Sequence, residues 1–159
     1  MKKGFASLED KTSRHKVREL KAADLDKGFL ETLETLSDAG GLSPREARKI
    51  LGKMRRNPLY HVFVAVNADG QVLGATTLLL EQKFIHSGGQ VGHIEDVVVR
   101  RGEQGKGIGQ SLVSSAVKSA NELGCYKCIL DCKDELTGFY ERLGFRRYEV
   151  GMRIDLAQS

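Results

Sequence analysis

Two hydrophobic periods alternate along the 159-residue chain and divide it into elements. His15 to Leu20 reads as a short first strand. Leu25, Phe29, Leu33 and Leu36 recur at spacings of three and four, which predicts a helix from Ala23 to about Ala39 with Gly40-Gly41 as its stop. Ser43-Pro44-Arg45-Glu46 opens a second helix: serine caps it, proline suits the first helical position, and glutamate three on reaches back to the cap. That helix runs to about Arg56 and breaks at Asn57-Pro58, and its many Lys and Arg form a solvated face. Tyr60 to Val66 and Val72 to Leu80 read as strands joined by the turn Asn67-Ala68-Asp69-Gly70. The apolar run from Ala75 to Leu80 predicts burial on both faces, hence a central place in a sheet. Residues 81–86 prolong that strand or leave it, Ser87-Gly88-Gly89 turns, and a strand follows from Gly92 to Val99.

Ile108, Leu112, Ala116 and Ala120 make an i, i+4 stripe, widened by Val113 and Val117, so a helix runs to Leu123 and ends at Gly124. A strand from Tyr126 to Asp131 comes next, then a short helix from Lys133 to Leu143 carrying Phe139 and Tyr140. A final strand spans roughly Arg147 to Leu156. The order β-α-α-β-β-β-α-β-α-β predicts an α/β (α+β) domain, a mixed sheet with helices on its faces. One domain covers residues 1–159, with 1–13 a loosely ordered extension.

Composition changes this picture little. The chain is 40% hydrophobic and 29% charged, which excludes a disordered polypeptide. No apolar run approaches the roughly 20 residues of a membrane span. The N-terminus lacks the apolar core of a signal peptide and the last residues match no sorting tripeptide, so a cytoplasmic location is expected, with organelle import by other routes left open. A net charge of +4 suits nucleic acid or phosphorylated small molecules. The bases are scattered among acids and no aromatic-studded RNA-binding motif appears, so small molecules are favoured. Cys125, Cys128 and Cys132 offer half of a zinc site on a strand-like run, and an odd count suits no disulfide framework; they read as reduced, partly buried thiols. Lys83, His86 and His93 make no tetrahedral set either, so no metal is expected.

Chemistry concentrates between His93 and Gln110. Gln104-Gly105-Lys106-Gly107-Ile108-Gly109 lies between a strand and a helix, where glycines turn backbone N–H groups toward one point and the helix N-terminus adds about half a positive charge. A pyrophosphate is the natural guest, with Arg100, Arg101 and Lys106 adding charge; the bland alternative is a glycine-rich turn. The Gly-Lys-Ser/Thr ending of a P-loop and the glycine spacing of a dinucleotide fingerprint are absent. Glu95 and Asp96 point to opposite faces of their strand unless a bulge intervenes. Downstream, Lys127, Ile129 and Asp131 share one strand face, and Cys128, Leu130 and Cys132 the other. A cation and a carboxylate about 13 Å apart could hold opposite ends of a phosphorylated amine, or simply be solvated charges.

Val97-Val98-Val99-Arg100-Arg101-Gly102-Glu103-Gln104-x-x-Gly107-x-Gly109, strand before and helix after, resembles the acetyl-CoA signature of the GNAT acetyltransferase superfamily. The element order resembles that fold over nearly the whole chain. Lys83-Phe84-Ile85-His86, His93-Ile94-Glu95-Asp96-Val97, Cys125-Tyr126-Lys127-Cys128-Ile129-Leu130-Asp131-Cys132 and Phe139-Tyr140-Glu141-Arg142-Leu143-Gly144-Phe145 resemble segments of the eukaryotic-type glucosamine-6-phosphate N-acetyltransferases.

The resemblance implies a GNAT fold with a central, mostly antiparallel mixed sheet. It implies acetyl transfer from acetyl-CoA, as co-substrate and without a metal, to the amine of glucosamine 6-phosphate, a step toward UDP-N-acetylglucosamine. Val97, Val98 and Val99 would offer backbone to the pantetheine arm, with an N–H near Val97 or Val99 polarising the thioester carbonyl. Gln104, Gly105, Lys106, Gly107, Ile108, Gly109 and Gln110 would hold the pyrophosphate, with Arg142 also on the cofactor. Tyr140 would protonate or stabilise the departing sulfur, and its alternative is a buried structural aromatic. Lys83, Phe84, Ile85, His86, Glu95, Asp96, Val97, Tyr126, Lys127 and Asp131 would contact the sugar, and Ser37 stands where the family has a threonine near its phosphate. Asp131, then Glu95, is the candidate to orient the amine and take its proton. Direct transfer is implied, not a cysteine-bound acyl group. A homodimer is implied too, but where the family has a C-terminal arginine reaching a partner's phosphate this chain has Asp155, with Arg153 two residues earlier on the same face. A GNAT enzyme for another amine, such as a polyamine or protein terminus, and a non-catalytic CoA-binding module are the alternatives.

Overall fold

A computed structural model describes residues 14–37 and 41–156, leaving the expected N-terminal extension outside the described residues. Five strands lie in chain order in one sheet: β1 Lys16–Glu19, β2 Tyr60–Val66, β3 Val72–Gln82, β4 Gln90–Val99 and β5 Cys125–Ile129. The first four pair antiparallel and β5 joins β4 in parallel, as the mixed order requires. Helices flank it among the described residues: α1 Phe29–Leu33, α2 Pro44–Arg55, α3 Ile108–Glu122 and α4 Thr137–Arg142.

Alternation along the strands builds two cores. Phe63, Ala65, Leu78, Leu80 and Ile94 pack with Ile108, Leu112, Ala116 and Ala120 of the predicted α3 stripe. On the opposite face Val64, Val66, Ala75 and Val98 pack with Leu25, Phe29, Ala47 and Leu51. The run from Ala75 to Leu80 is therefore covered on both sides, as its composition predicted. The capping box of α2 also forms: Glu46 N–H donates to Ser43 Oγ at 3.3 Å, and Ser43 N–H donates to Glu46 Oε2 at 3.0 Å. Gly92 lets α3 lie close on β4, because a methyl group there would sit 3.0 Å from Leu78, 3.1 Å from Cys128 Sγ and 3.2 Å from Ala120.

Three expectations need correction. The helix predicted over 23–39 is a 3-10 turn, Ala22–Asp26, followed by the short α1, and part of its Gly40-Gly41 stop lies outside the described residues. The reason is Asp24, which is 1% exposed and held by a two-pronged Arg18 contact at 2.6 and 2.8 Å and by the Lys21 N–H at 2.7 Å. These bonds tighten the chain before a regular helix can start. The helix predicted over 133–143 likewise divides into a 3-10 turn, Asp134–Leu136, and α4. Finally, no strand forms over 147–156. Tyr148, Val150, Met152, Ile154 and Leu156 keep the period-two pattern, yet all five are exposed because no strand edge is laid against them.

Burial alone would raise the Asp24 carboxyl, but Arg18 and the Lys21 amide outweigh it and hold it below the usual aspartate value. Asp24→Asn should therefore cost about 3 kcal/mol at neutral pH, since it leaves Arg18 without its counter-charge. The loss should shrink as pH falls below the ordinary aspartate range, because the depressed group contributes only while ionised. Urea unfolding of the two proteins at several pH values measures both.

Candidate active site

The site starts where two strands part. β4 and β5 are paired from Gln90–Cys125 to His93–Ile129, and β4 then continues to Val99 without a β5 partner among the described residues. Two further residues of β4 break its own pattern. Thr77 faces Glu95 and Ala75 faces Val98, so three steps of β4 oppose two of β3, and Asp96 takes a left-handed φ of 51°. That conformation costs a non-glycine residue about 1 kcal/mol. Thr76 Oγ1 donates to the Glu95 carbonyl at 3.0 Å and ties the bulge down.

The bulge resolves the question of where the two carboxylates point. Before it, Gly92 and Ile94 face α3 while His93 and Glu95 face the other way; after it, Val97 and Val99 rejoin the α3 core and Val98 turns to the α1–α2 side. Register carries the same face onto β5, where Val91 and His93 lie opposite Lys127 and Ile129. Asp131 follows at the strand's mouth, close enough to Glu95 for their charges to interact. The Glu95 carboxyl is raised first by burial, then by Asp96 and Asp131, against a smaller lowering by His93. This face also gathers a cluster the sequence did not single out: Glu81 accepts from the Lys83 ammonium with one oxygen and from His93 Nε2 with the other, at 2.7 Å.

Beyond Lys83 the chain makes a tight loop, closed by Lys83 N–H to the Gly89 carbonyl at 2.9 Å, with His86 and Ser87 both at positive φ. Phe84 and Ile85 project into solvent, whereas the His86 ring stacks on Tyr126 at 4.4 Å. Lys127 Nζ lies over the rings of Tyr126 and Tyr148 at 5.9 and 5.2 Å, and among the described residues no carboxylate pairs with it.

At the other end of β4 the loop 100–107 forms a cradle. Gln104 supports it from within, accepting from Gly102 N–H at 2.8 Å and donating to the Val99 carbonyl at 3.2 Å. Its side chain is thus spent on the loop, which shapes the backbone around Gly105 and Lys106. Gly105 and Gly107 have φ of 78° and 77°, with open space where a Cβ would stand, and Gly107 caps the fifteen-residue α3. The N–H groups of Ile108, Gly109 and Gln110 therefore lack intrahelical acceptors and surround the positive end of the helix dipole. Lys106 pairs with Glu103 at 2.9 Å, while Arg100 is drawn away against Gly28 at the start of α1 and adds no charge to the cradle.

α4 reaches the cradle through Phe139, 3.5 Å from the Cβ position of Gly109. Its neighbour Tyr140 is 7% exposed, set edge-on to Phe139 and Phe145, and burial pushes its phenol up, with Cys132 adding to the effect. The Cys128 thiol, facing α3, is pushed up to about 11 by burial, and burial raises Cys125 as well.

Contacts join Lys83, Glu81 and His93 into one group, with Glu95, Asp96 and Asp131 coupled to it through His93 by charge, and His86, Tyr126 and Lys127 into a second group at the start of β5. Val97, Val99 and Tyr140 share the α3 core, and Phe139 beside Tyr140 meets the glycine loop at Gly109. Of the other expected residues, Ser37 lies exposed past α1, while Arg142 on α4 and Arg153 on the tail, the latter paired with Asp155 at 2.7 Å, line the same broad hollow as Gly107, Lys127, Asp131 and Tyr140. The tail approaches the end of β5 at Gly151, whose Cβ position is 3.3 Å from Asp131 Oδ1. Sequence reasoning missed Glu81, because it sits at the end of an apolar strand. The only signal available was its place two residues before Lys83, on the face that pairs with β4.

Comparison with known proteins agrees with this geometry. Residues 24–145 match the model of the Acetyltransferase (GNAT) family. A glucosamine 6-phosphate N-acetyltransferase of Candida albicans is 44% identical over 85% of this chain and 91% of its own length. That of Trypanosoma brucei brucei is 38% identical over 88% and 95%. The crystal structure of glucosamine-6-phosphate N-acetyltransferase from Arabidopsis thaliana superposes with a TM-score of 0.87 at 31% identity, covering 90% of this chain and 99% of that one. The chain belongs to the GNAT acetyltransferase family and, within it, to the glucosamine 6-phosphate N-acetyltransferases.

Proposed function

We propose that the chain transfers the acetyl group of acetyl-CoA to the amine of D-glucosamine 6-phosphate, giving N-acetyl-D-glucosamine 6-phosphate and CoA, a step toward UDP-N-acetylglucosamine. The observation that carries this is a glycine cradle on a helix N-terminus at one end of β4, with a face at the other end that holds Glu95, Asp131 and a lysine paired with no carboxylate among the described residues. The named activity of relatives at 38–44% identity supports the same substrate pair.

Acetyl-CoA supplies a thioester whose carbonyl is open to an amine; the protein supplies position and proton handling. The N–H groups of 105–110 receive the pyrophosphate. The edge of 95–99 that β5 vacates offers backbone to the pantetheine arm, and an N–H near Val97 or Val99 polarises the carbonyl. Lys127 takes the sugar phosphate, its ammonium lying over two rings and, among the described residues, pairing with no carboxylate. Asp131 orients the ammonium. Glu95, raised toward neutrality by burial, accepts the proton. Tyr140, kept protonated by burial, donates to the departing sulfur. Attack is direct: a Cys128 thiol near 11 and turned toward α3 is a poor acyl carrier.

We also propose a homodimer built on residues 147–156. Five alternating exposed apolar side chains make a strand that lacks only an edge, and a second copy supplies one. In such an assembly Arg153 could turn from Asp155 toward a neighbouring sugar phosphate, and Ser37 could add a hydroxyl to its rim.

CoA release should appear with acetyl-CoA plus glucosamine 6-phosphate and not with either alone; release driven better by a polyamine or a peptide amine would shift the assignment to another GNAT substrate. Because the base must be ionised, turnover should fall as pH drops through a value above the ordinary glutamate range. Glu95→Gln should remove that limb and lower kcat about a hundredfold. Ending the chain after Arg146 should yield a monomer by analytical ultracentrifugation, against a dimer for the full chain.

A further inference from the structure

Glu81 stands on the acceptor face without a part in the chemistry so far. It lies opposite Val91 on β4, and Leu79, two residues before it, lies opposite His93, so its side chain shares the face of His93 and Glu95. Both of its oxygens are used: one by the Lys83 ammonium, the other by His93 Nε2 at 2.7 Å. The hydrogen bonds from Lys83 and His93 hold this carboxyl below the usual glutamate value, so it accepts from both neighbours. A carboxylate cannot donate, so the imidazole must carry its hydrogen on Nε2; when neutral, it presents Nδ1 as an acceptor.

Two consequences follow from charge and from freedom. Lys83 already has its counter-ion, whereas Lys127 lies over the rings of Tyr126 and Tyr148 and, among the described residues, pairs with no carboxylate. A dianionic phosphate therefore gains more at Lys127, and the Lys83–His93 pair is left to read neutral hydroxyls. An untethered lysine would also lose its rotamer freedom on each binding event, and the bond to Glu81 removes most of that loss beforehand.

We infer that Glu81 is a positioning residue that fixes Lys83 and His93 as a preset donor–acceptor pair for the hydroxyl edge of the amino sugar, leaving the phosphate to Lys127. This rests on the acceptor assignment above. The test is steady-state kinetics with glucosamine 6-phosphate and with glucosamine as alternative acceptors, for the wild type, Glu81→Gln, Lys83→Met, their double variant and Lys127→Met. Glu81 is partly exposed, so its replacement leaves the core intact. Glu81→Gln and Lys83→Met should each lower kcat/KM for both acceptors by a similar factor, roughly tenfold, through KM of the amine. Under these changes kcat should stay within about twofold and KM for acetyl-CoA should not move. The double variant should fall well short of the product of the two single effects. Lys127→Met should instead penalise the phosphorylated acceptor far more than the free sugar. A Glu81→Gln enzyme with unchanged amine KM overturns the inference, as does one whose losses fall on the phosphorylated sugar alone, or equally on kcat and KM for acetyl-CoA. A wild type that shows no sugar-dependent CoA release removes the acceptor assignment itself, and this inference with it.

Discussion

The structure depends on one unfinished ladder. Backbone N–H and C=O groups inside a protein must find partners, and adjacent parallel strands normally supply them along their whole length. Here β5 leaves β4 after His93, and the remaining half of β4 is supported on the other side by β3 alone. An edge opened in the middle of a sheet needs something extended to lie along it. The Asp96 bulge adds a second condition, since it turns Glu95 to one face while Val97 and Val99 return to the α3 core. Separation and bulge together leave a strand edge with different chemistry at each end.

Those ends are electrostatic opposites. At the far end of β4 the helix dipole and a ring of unpaired N–H groups favour negative charge. At the near end Glu95, Asp96 and Asp131 crowd together, and the cost of burying and juxtaposing them appears as a raised Glu95 carboxyl. A cationic amine approaching that mouth relieves the repulsion, and an anionic donor approaching the other completes the helix terminus. Phe139 and Phe145 set their rings edge-on to Tyr140, whose phenol burial pushes up and so keeps protonated.

Most of this was legible in the residues. The i, i+4 stripe of α3, the capping box of α2, the central run Ala75–Leu80 and the faces of Lys127 and Cys128 all follow from local periodicity, and they appear as expected. What was not legible depended on long-range pairing. The bulge at Asp96 arises from its register with β3, so sequence could state only that one would decide the direction of Glu95. The helix expected from Ala23 to about Ala39 gave way because Asp24 finds Arg18 on another element. The tail has a strand's pattern from Tyr148 to Leu156 without a strand's edge, because such a pattern announces a need for pairing and not the chain that meets it. Glu81 escaped notice for the same reason: its partners, Lys83 and His93, meet only once β3 and β4 are in register.

The central claim is that the opening between β4 and β5 separates a donor end from an acceptor end. The most direct measurement is a crystal structure of the protein with CoA and N-acetylglucosamine 6-phosphate bound together. The pyrophosphate should lie against the N–H groups of residues 105–110, with the CoA sulfur in the opening within reach of Tyr140. The amide of the sugar should face Glu95 and Asp131, on the side away from α3. A sugar seated on the α3 face, or a pyrophosphate held elsewhere than the glycine loop, would contradict the account.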